Sequence, residues 1–163
     1  MKAEIYWTNE NLATMPHPRG DDWLEDEIIS LKNSGVDVLV SMLEGHEVFR
    51  LRLEKEEFFC RENDIVFLNF PVVDRNIPNS FDEVFQFVRK LFNYSREEKK
   101  IAIHCFAGIG RSSLIACCLL VLQGMNVDDA FLKISQARGF SVPDTREQIE
   151  WAYAFAEKFG NAA

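Results

Sequence analysis

Positive charge is scarce in this sequence: 18 Lys and Arg stand against 26 Asp and Glu, a formal net charge of −8. Nucleic acid and anionic membrane are therefore not expected partners, since neither attracts an acidic chain. No apolar run is long enough to cross a bilayer. Residues 1–20 mix charges, prolines and polar side chains, so no signal peptide is expected there. Cysteine is limited to Cys60, Cys105, Cys117 and Cys118, with neither metal-ligand spacing nor a disulfide framework. A reducing compartment, the cytoplasm, fits that usage. Repeats, low-complexity tracts and Gly/Ser linkers are all missing. One domain covering residues 1–163, monomeric, is the expectation.

What is present is apolar. Hydrophobic residues make up 47% of the chain and phenylalanine alone contributes 14 residues, enough for one aromatic-rich core. Apolar runs suited to strands alternate with helical periodicity. Short extended pieces are expected at Ile5–Trp7 and Leu12–Thr14, then buried strands at Val36–Met42, Ile65–Phe70 and Lys100–His104. Helices are expected over Trp23–Asn33, capped by Asp21 or Asp22, and over Val48–Arg61, Ser80–Tyr94, Ser112–Leu122, Asp128–Ala137 and Thr145–Phe159. The fold class that follows is α/β: a mostly parallel central sheet with helices on both faces. Cys117 and Cys118 fall within an apolar helix and read as core.

One stretch organises the chain: Ile101-Ala-Ile-His104-Cys105-Phe-Ala-Gly108-Ile-Gly110-Arg111-Ser112-Ser113. It passes from a strand through a tight loop into a helix. Gly108 and Gly110 permit backbone angles closed to other residues. The N–H groups of Phe106, Ala107, Gly108, Ile109, Gly110 and Arg111 can then point inward as an anion nest, reinforced by the N-terminus of the following helix. Arg111 adds a planar cation suited to phosphate oxygens. A thiol held at a helix N-terminus beside a cation favours its thiolate form, which makes Cys105 a candidate nucleophile. Ser112 can hydrogen-bond the sulfur and assist its departure. Such a loop is a cradle for a tetrahedral dianion with phosphorus facing the sulfur. A small buried hydrophobe is the structural alternative for Cys105.

His104-Cys105, five intervening residues, then Arg111-Ser112 resembles the signature of the cysteine-based protein tyrosine phosphatases, and the short chain resembles their dual-specificity branch. A rhodanese-like sulfurtransferase loop usually carries more basic residues, and low-molecular-weight phosphatases place their cysteine near the N-terminus. The resemblance implies a phosphate-binding loop of the phosphatase type. It also implies a general-acid Asp on a loop upstream, a position that Asp74 matches in Pro71-Val-Val-Asp74-Arg75-Asn-Ile-Pro78. An acid is needed because an unprotonated alkoxide or phenolate leaves poorly. Arg75 either touches phosphate or substrate, or is solvated.

Two supporting positions stay open. A carboxylate on the loop after Val36–Met42 can orient Arg111; Glu44 is the candidate and Glu47 the runner-up. Thr145 and Gln148 read as a capping box, while the resemblance offers Gln148 a role in orienting the attacking water, with Asp144 standing where a second glutamine would be. The function implied is a phosphomonoester hydrolase acting on phosphoproteins through a cysteinyl-phosphate, with no cofactor or metal. Phosphotyrosine is the expected substrate, with phosphoserine and phosphothreonine beside it. The alternatives are a phosphate-binding interaction module with little turnover and a phosphatase of a non-protein substrate such as a phosphoinositide.

Overall fold

The structure is a computed structural model that describes residues 3–161. Its strands are β1 (Tyr6–Trp7), β2 (Leu12–Pro16), β3 (Val38–Ser41), β4 (Val66–Asn69) and β5 (Ile101–Cys105). They form one five-stranded sheet in the order β1-β2-β5-β3-β4, with β1 antiparallel and the rest parallel. The helices are α1 (Leu24–Asn33), α2 (Gly45–Arg50), α3 (Glu56–Glu62), α4 (Phe81–Arg96), α5 (Arg111–Leu122), α6 (Val127–Arg138) and α7 (Arg146–Phe159). The expected fold class holds.

Strand alternation divides the interior into two layers. Ile101, Ile103 and Cys105 of β5, with Val38 and Val40 of β3, face the core built with α4, α5, α6 and α7. Ala102 and Leu39 face the smaller core that holds Leu24, Ile28 and Leu31 of α1 and Cys60 of α3. β5 is buried along its whole length because both layers meet on it. Cys60 therefore belongs to the opposite layer from Cys105, and all four cysteines are free. Burial pushes the thiols of Cys60, Cys117 and Cys118 well up, as suits core residues.

Four elements depart from expectation. The Val48–Arg61 helix is two helices, α2 and α3. The chain between them bends around Gly20, whose bare Cα leaves no room for a Cβ beside the Leu51 and Arg52 carbonyls. β4 is not buried: it is the sheet's edge, and Val66 is exposed. No Asp side chain caps α1, which is preceded by a 3-10 turn over Asp21–Trp23. α5 has no single inward face, since every residue from Arg111 to Leu122 is buried between the sheet and its neighbouring helices. Each Leu or Ile buried there contributes about 1.5–3 kcal/mol.

Side-chain caps open α4 and α7, the second of them the expected Thr145 box. Ser80 Oγ accepts from Glu83 N–H at the start of α4, and Thr145 Oγ1 accepts from Gln148 N–H at the start of α7. The aromatic end of the larger core stacks Phe81 on Trp151 and Trp151 on Phe155, with Phe155 fully buried. Phe155→Ala is expected to cost about 3–5 kcal/mol, read as a lowered urea midpoint at unchanged slope.

Candidate active site

Parallel strands direct their carboxyl ends to one edge of a sheet, where α/β folds gather their ligands. Here β2 ends into His17, β3 into Met42–Glu44, β4 into the loop 70–80, and β5 into the signature loop 106–110. Residues remote in sequence thus converge on Cys105.

The signature loop is held open from outside. His17 N–H donates to the Phe106 carbonyl at 3.2 Å. Arg138, at the end of α6, donates from Nη2 to the Ala107 carbonyl (3.0 Å) and from Nε to the Gly108 carbonyl (3.3 Å). Because a trans peptide is planar, fixing these carbonyls outward turns the N–H groups of Ala107, Gly108 and Ile109 to the opposite, concave side. That is the backbone orientation an amide nest requires. Gly108 has φ +72°, and a Cβ there would lie 2.5 Å from the Met15 carbonyl carbon, so only glycine fits.

Cys105 is 3% exposed, and its Sγ shares a 3.3 Å hydrogen bond with Ser112 Oγ, itself fully buried. His104 points to the other layer. Its Nε2 lies 2.6 Å from Glu56 Oε2 on α3, and both side chains are buried.

Arg111 is 1% exposed yet charged. Its bidentate partner is Glu47: Nη1 donates to Oε2 and Nη2 to Oε1, each at 2.9 Å. Glu44 does not take this place. It is the N-cap of α2 and lies at the surface beside His46, whereas Glu47, one turn further on, faces inward. Burial alone would push Glu47 up, but the Arg111 hydrogen bond, the Glu44 amide and nearby positive charge hold its carboxyl below the usual range. Burial likewise opposes the charge on Arg111, and Glu47, Cys105 and Asp74 more than offset it.

The loop 70–80 brings its carboxylate to the same guanidinium. Asp74 Oδ1 sits 3.1 Å from Arg111 Nη2, with the Asp74 side chain 57% exposed. Arg111 Nη1 also donates to the Val72 carbonyl at 2.8 Å. Nε of Arg111 is buried and has no protein acceptor among the described residues. Arg75, at φ +61°, is exposed and lies 3.6 Å from Asp144 Oδ2. Gln148 is buried as the N3 member of the α7 capping box. Among the described residues no three His, Cys, Asp or Glu side chains gather in a metal-holding group.

Three contributors escaped the sequence. Arg138 reads in sequence as a cation at a helix end, a common macrodipole partner, so nothing marks it. Glu56 lies in a run of charges. His17 sits in a Pro-flanked loop that carries no functional mark in sequence, but it is half-buried and its ring lies 5.2 Å from that of Phe106.

A cysteine at the end of a central parallel strand, followed by a tight loop and a buried arginine at the start of a helix, is the arrangement of a cysteine-based phosphatase fold. The chain belongs to the dual-specificity phosphatase catalytic-domain family, whose description matches residues 30–157. Cyclin-dependent kinase inhibitor 3 of Rattus norvegicus is 26% identical over 83% of this chain and 64% of that protein. Protein tyrosine phosphatase domain-containing protein 1 of Danio rerio is 36% identical over 72% of this chain but 16% of that protein. The chain thus spans less than two thirds of either relative. Among solved structures, kinase-associated phosphatase with its catalytic-site cysteine replaced by serine superposes with a TM-score of 0.87 at 19% identity, covering 100% and 99% of the two chains. PTPMT1 in complex with PI(5)P superposes at 0.77 with 16% identity, covering 94% and 95%.

The two carboxylates of α2 separate by experiment. Glu47→Ala, which strands the buried Arg111 charge, is expected to cost about 3–5 kcal/mol in urea unfolding at neutral pH. Glu44→Ala, which removes a surface ion pair with His46, is expected to cost no more than about 1 kcal/mol. Glu47 is depressed in the fold, so its contribution is present above its unfolded value and fades as pH falls through the folded one. Glu47→Gln is expected to flatten that acid limb of stability.

Proposed function

We propose that the chain is a phosphoprotein phosphatase in which one catalytic domain over residues 1–163 works through a cysteinyl-phosphate. The observation that carries this is the meeting of Asp74 and Arg111 at 3.1 Å beside the loop that presents Cys105. An acid carried on a separate loop has no reason to converge on the cation and nucleophile of the signature stretch for binding alone.

The chemistry proceeds in two displacements. A phosphomonoester dianion enters the nest and takes the inward N–H groups together with Arg111 Nε and Nη2, so that Asp74 leaves Nη2. Sγ of Cys105 attacks phosphorus in line, the bond to the leaving oxygen breaks, and Asp74 gives that oxygen its proton. Water then attacks the phosphocysteine, Asp74 takes its proton, and the sulfur departs as a thiolate stabilised by Ser112. Arg111 and the amides hold the equatorial oxygens throughout. Charge neutralisation comes from the protein, so no metal or cofactor takes part.

Phosphoprotein is preferred over a phosphoinositide because the variable positions of the loop, Phe106, Ala107 and Ile109, carry no cation and the chain has a net charge of −8. Asp74 is open to solvent, which suits a shallow site accepting phosphotyrosine and the shorter phosphoserine and phosphothreonine. A monomer in the reducing cytoplasm completes the reading, since a working thiolate must stay reduced. No described helix is long and apolar enough to cross a membrane.

Phenyl phosphate hydrolysis tests the scheme. Cys105→Ser is expected to fall to background and Asp74→Asn by about 10²–10⁴-fold. EDTA is expected to leave the wild-type rate unchanged. Turnover by Cys105→Ser equal to wild type overturns the mechanism.

A further inference from the structure

Gln148 does more than cap α7. Its side chain is fully buried, and a buried primary amide must place both its acceptor and its donors. Oε1 accepts from Asp144 N–H at 3.0 Å and Thr145 N–H at 3.1 Å, and the capping box needs nothing more. Nε2 reaches the other way, donating to the Asn76 carbonyl at 3.2 Å. Asn76 lies two residues beyond Asp74.

The opposite side of Asp74 is held in the same manner. The Val72 carbonyl, two residues before Asp74, accepts from Arg111 Nη1. The segment carrying the carboxylate is therefore pinned at both ends by buried side chains, each gripping a backbone oxygen. Between the pins, Asn76 N–H closes a turn on the Val73 carbonyl at 3.0 Å, with Arg75 at positive φ. Gln148 also packs on the signature loop. A Cβ on Gly110 would lie 3.0 Å from its Nε2 and 2.9 Å from the Asp144 Cβ. One side chain thus touches the signature loop, the Asp74 loop and the start of α7. A second tie, Arg75 to Asp144 at 3.6 Å, is exposed and contributes little.

We propose that Gln148 is a positioning residue that fixes the Asp74 loop over the phosphoryl site by holding the Asn76 carbonyl, rather than a group that orients the attacking water. The proposal rests on the phosphatase reading. With Oε1 bound to two amides, contact between that oxygen and a water would require opening the cap. What Gln148 controls is the reach of the Asp74 proton to the leaving oxygen. That proton matters for poor leaving groups and hardly at all for good ones.

Gln148→Glu separates the two ends of the side chain. A carboxylate still accepts from Asp144 and Thr145, so α7 stays capped, but it sets an oxygen against the Asn76 carbonyl. Its kcat/KM is expected to fall about tenfold with phenyl phosphate, part of the 10²–10⁴-fold that acid catalysis supplies, and by less than about twofold with p-nitrophenyl phosphate. Adding Asp74→Asn is expected to remove the difference between Gln and Glu at 148. Gln148→Met, which keeps the buried volume and drops the donor, is expected to repeat the pattern should the Glu variant fail to fold. Equal losses with both esters, or wild-type rates with both, overturn the positioning role. Wild-type hydrolysis that survives Cys105→Ser overturns the phosphatase reading instead.

Discussion

A permanently charged guanidinium in a dry interior is the constraint around which this molecule is arranged. Arg111 is 1% exposed, and a lone cation at that depth costs several kcal/mol. The cost is offset by geometry. Glu47 meets two of its nitrogens, the Val72 carbonyl adds a third contact, and Asp74 adds a fourth. The partners come from α2 and from the 70–80 loop, both remote from Arg111 in sequence, so assembling the ion pair also assembles the site. Glu47 serves twice, since its Oε2 also accepts the Glu44 N–H that opens α2. The short helix and the arginine are locked by one carboxylate.

The sheet supplies the second organising rule. Parallel strands place the ends of β2, β3, β4 and β5 along one edge, and each end contributes one loop. β4, though an edge strand, is anchored where it counts: Asn69 Nδ2 donates to the Ser41 and Leu43 carbonyls, tying the start of the Asp74 loop to the start of α2. α5 is apolar on every side because it fills the space between sheet and outer helices, and its buried N-terminus directly follows the signature loop.

What the sequence revealed depended on how local each signal was. The stretch from His104 to Ser112 is contiguous, and its chemistry needs no tertiary knowledge. Thr145 is read as a cap for the same reason. Glu44 and Glu47 differ by helical phase alone, and which one faces inward depends on where α2 begins. Glu56 and Arg138 act across the fold, on His104 and on the Ala107 and Gly108 carbonyls, so no spacing marks them. The break between α2 and α3 carries neither Pro nor Gly; there the Leu51 and Arg52 carbonyls lie against Gly20, more than thirty residues earlier in sequence. The burial of α5 on all sides had a visible sign, the absence of any charge from Ser112 to Leu122.

His104 and Cys105 are adjacent residues on opposite faces of β5, one joined to α3 and the other to α5. The outer layer around α1 and α3, remote from any ligand, is thus coupled to the sulfur through a single peptide unit. A lesion in that layer that leaves the protein folded can still twist the strand and misaim the nucleophile. Its signature is slow chemistry in a protein that melts normally.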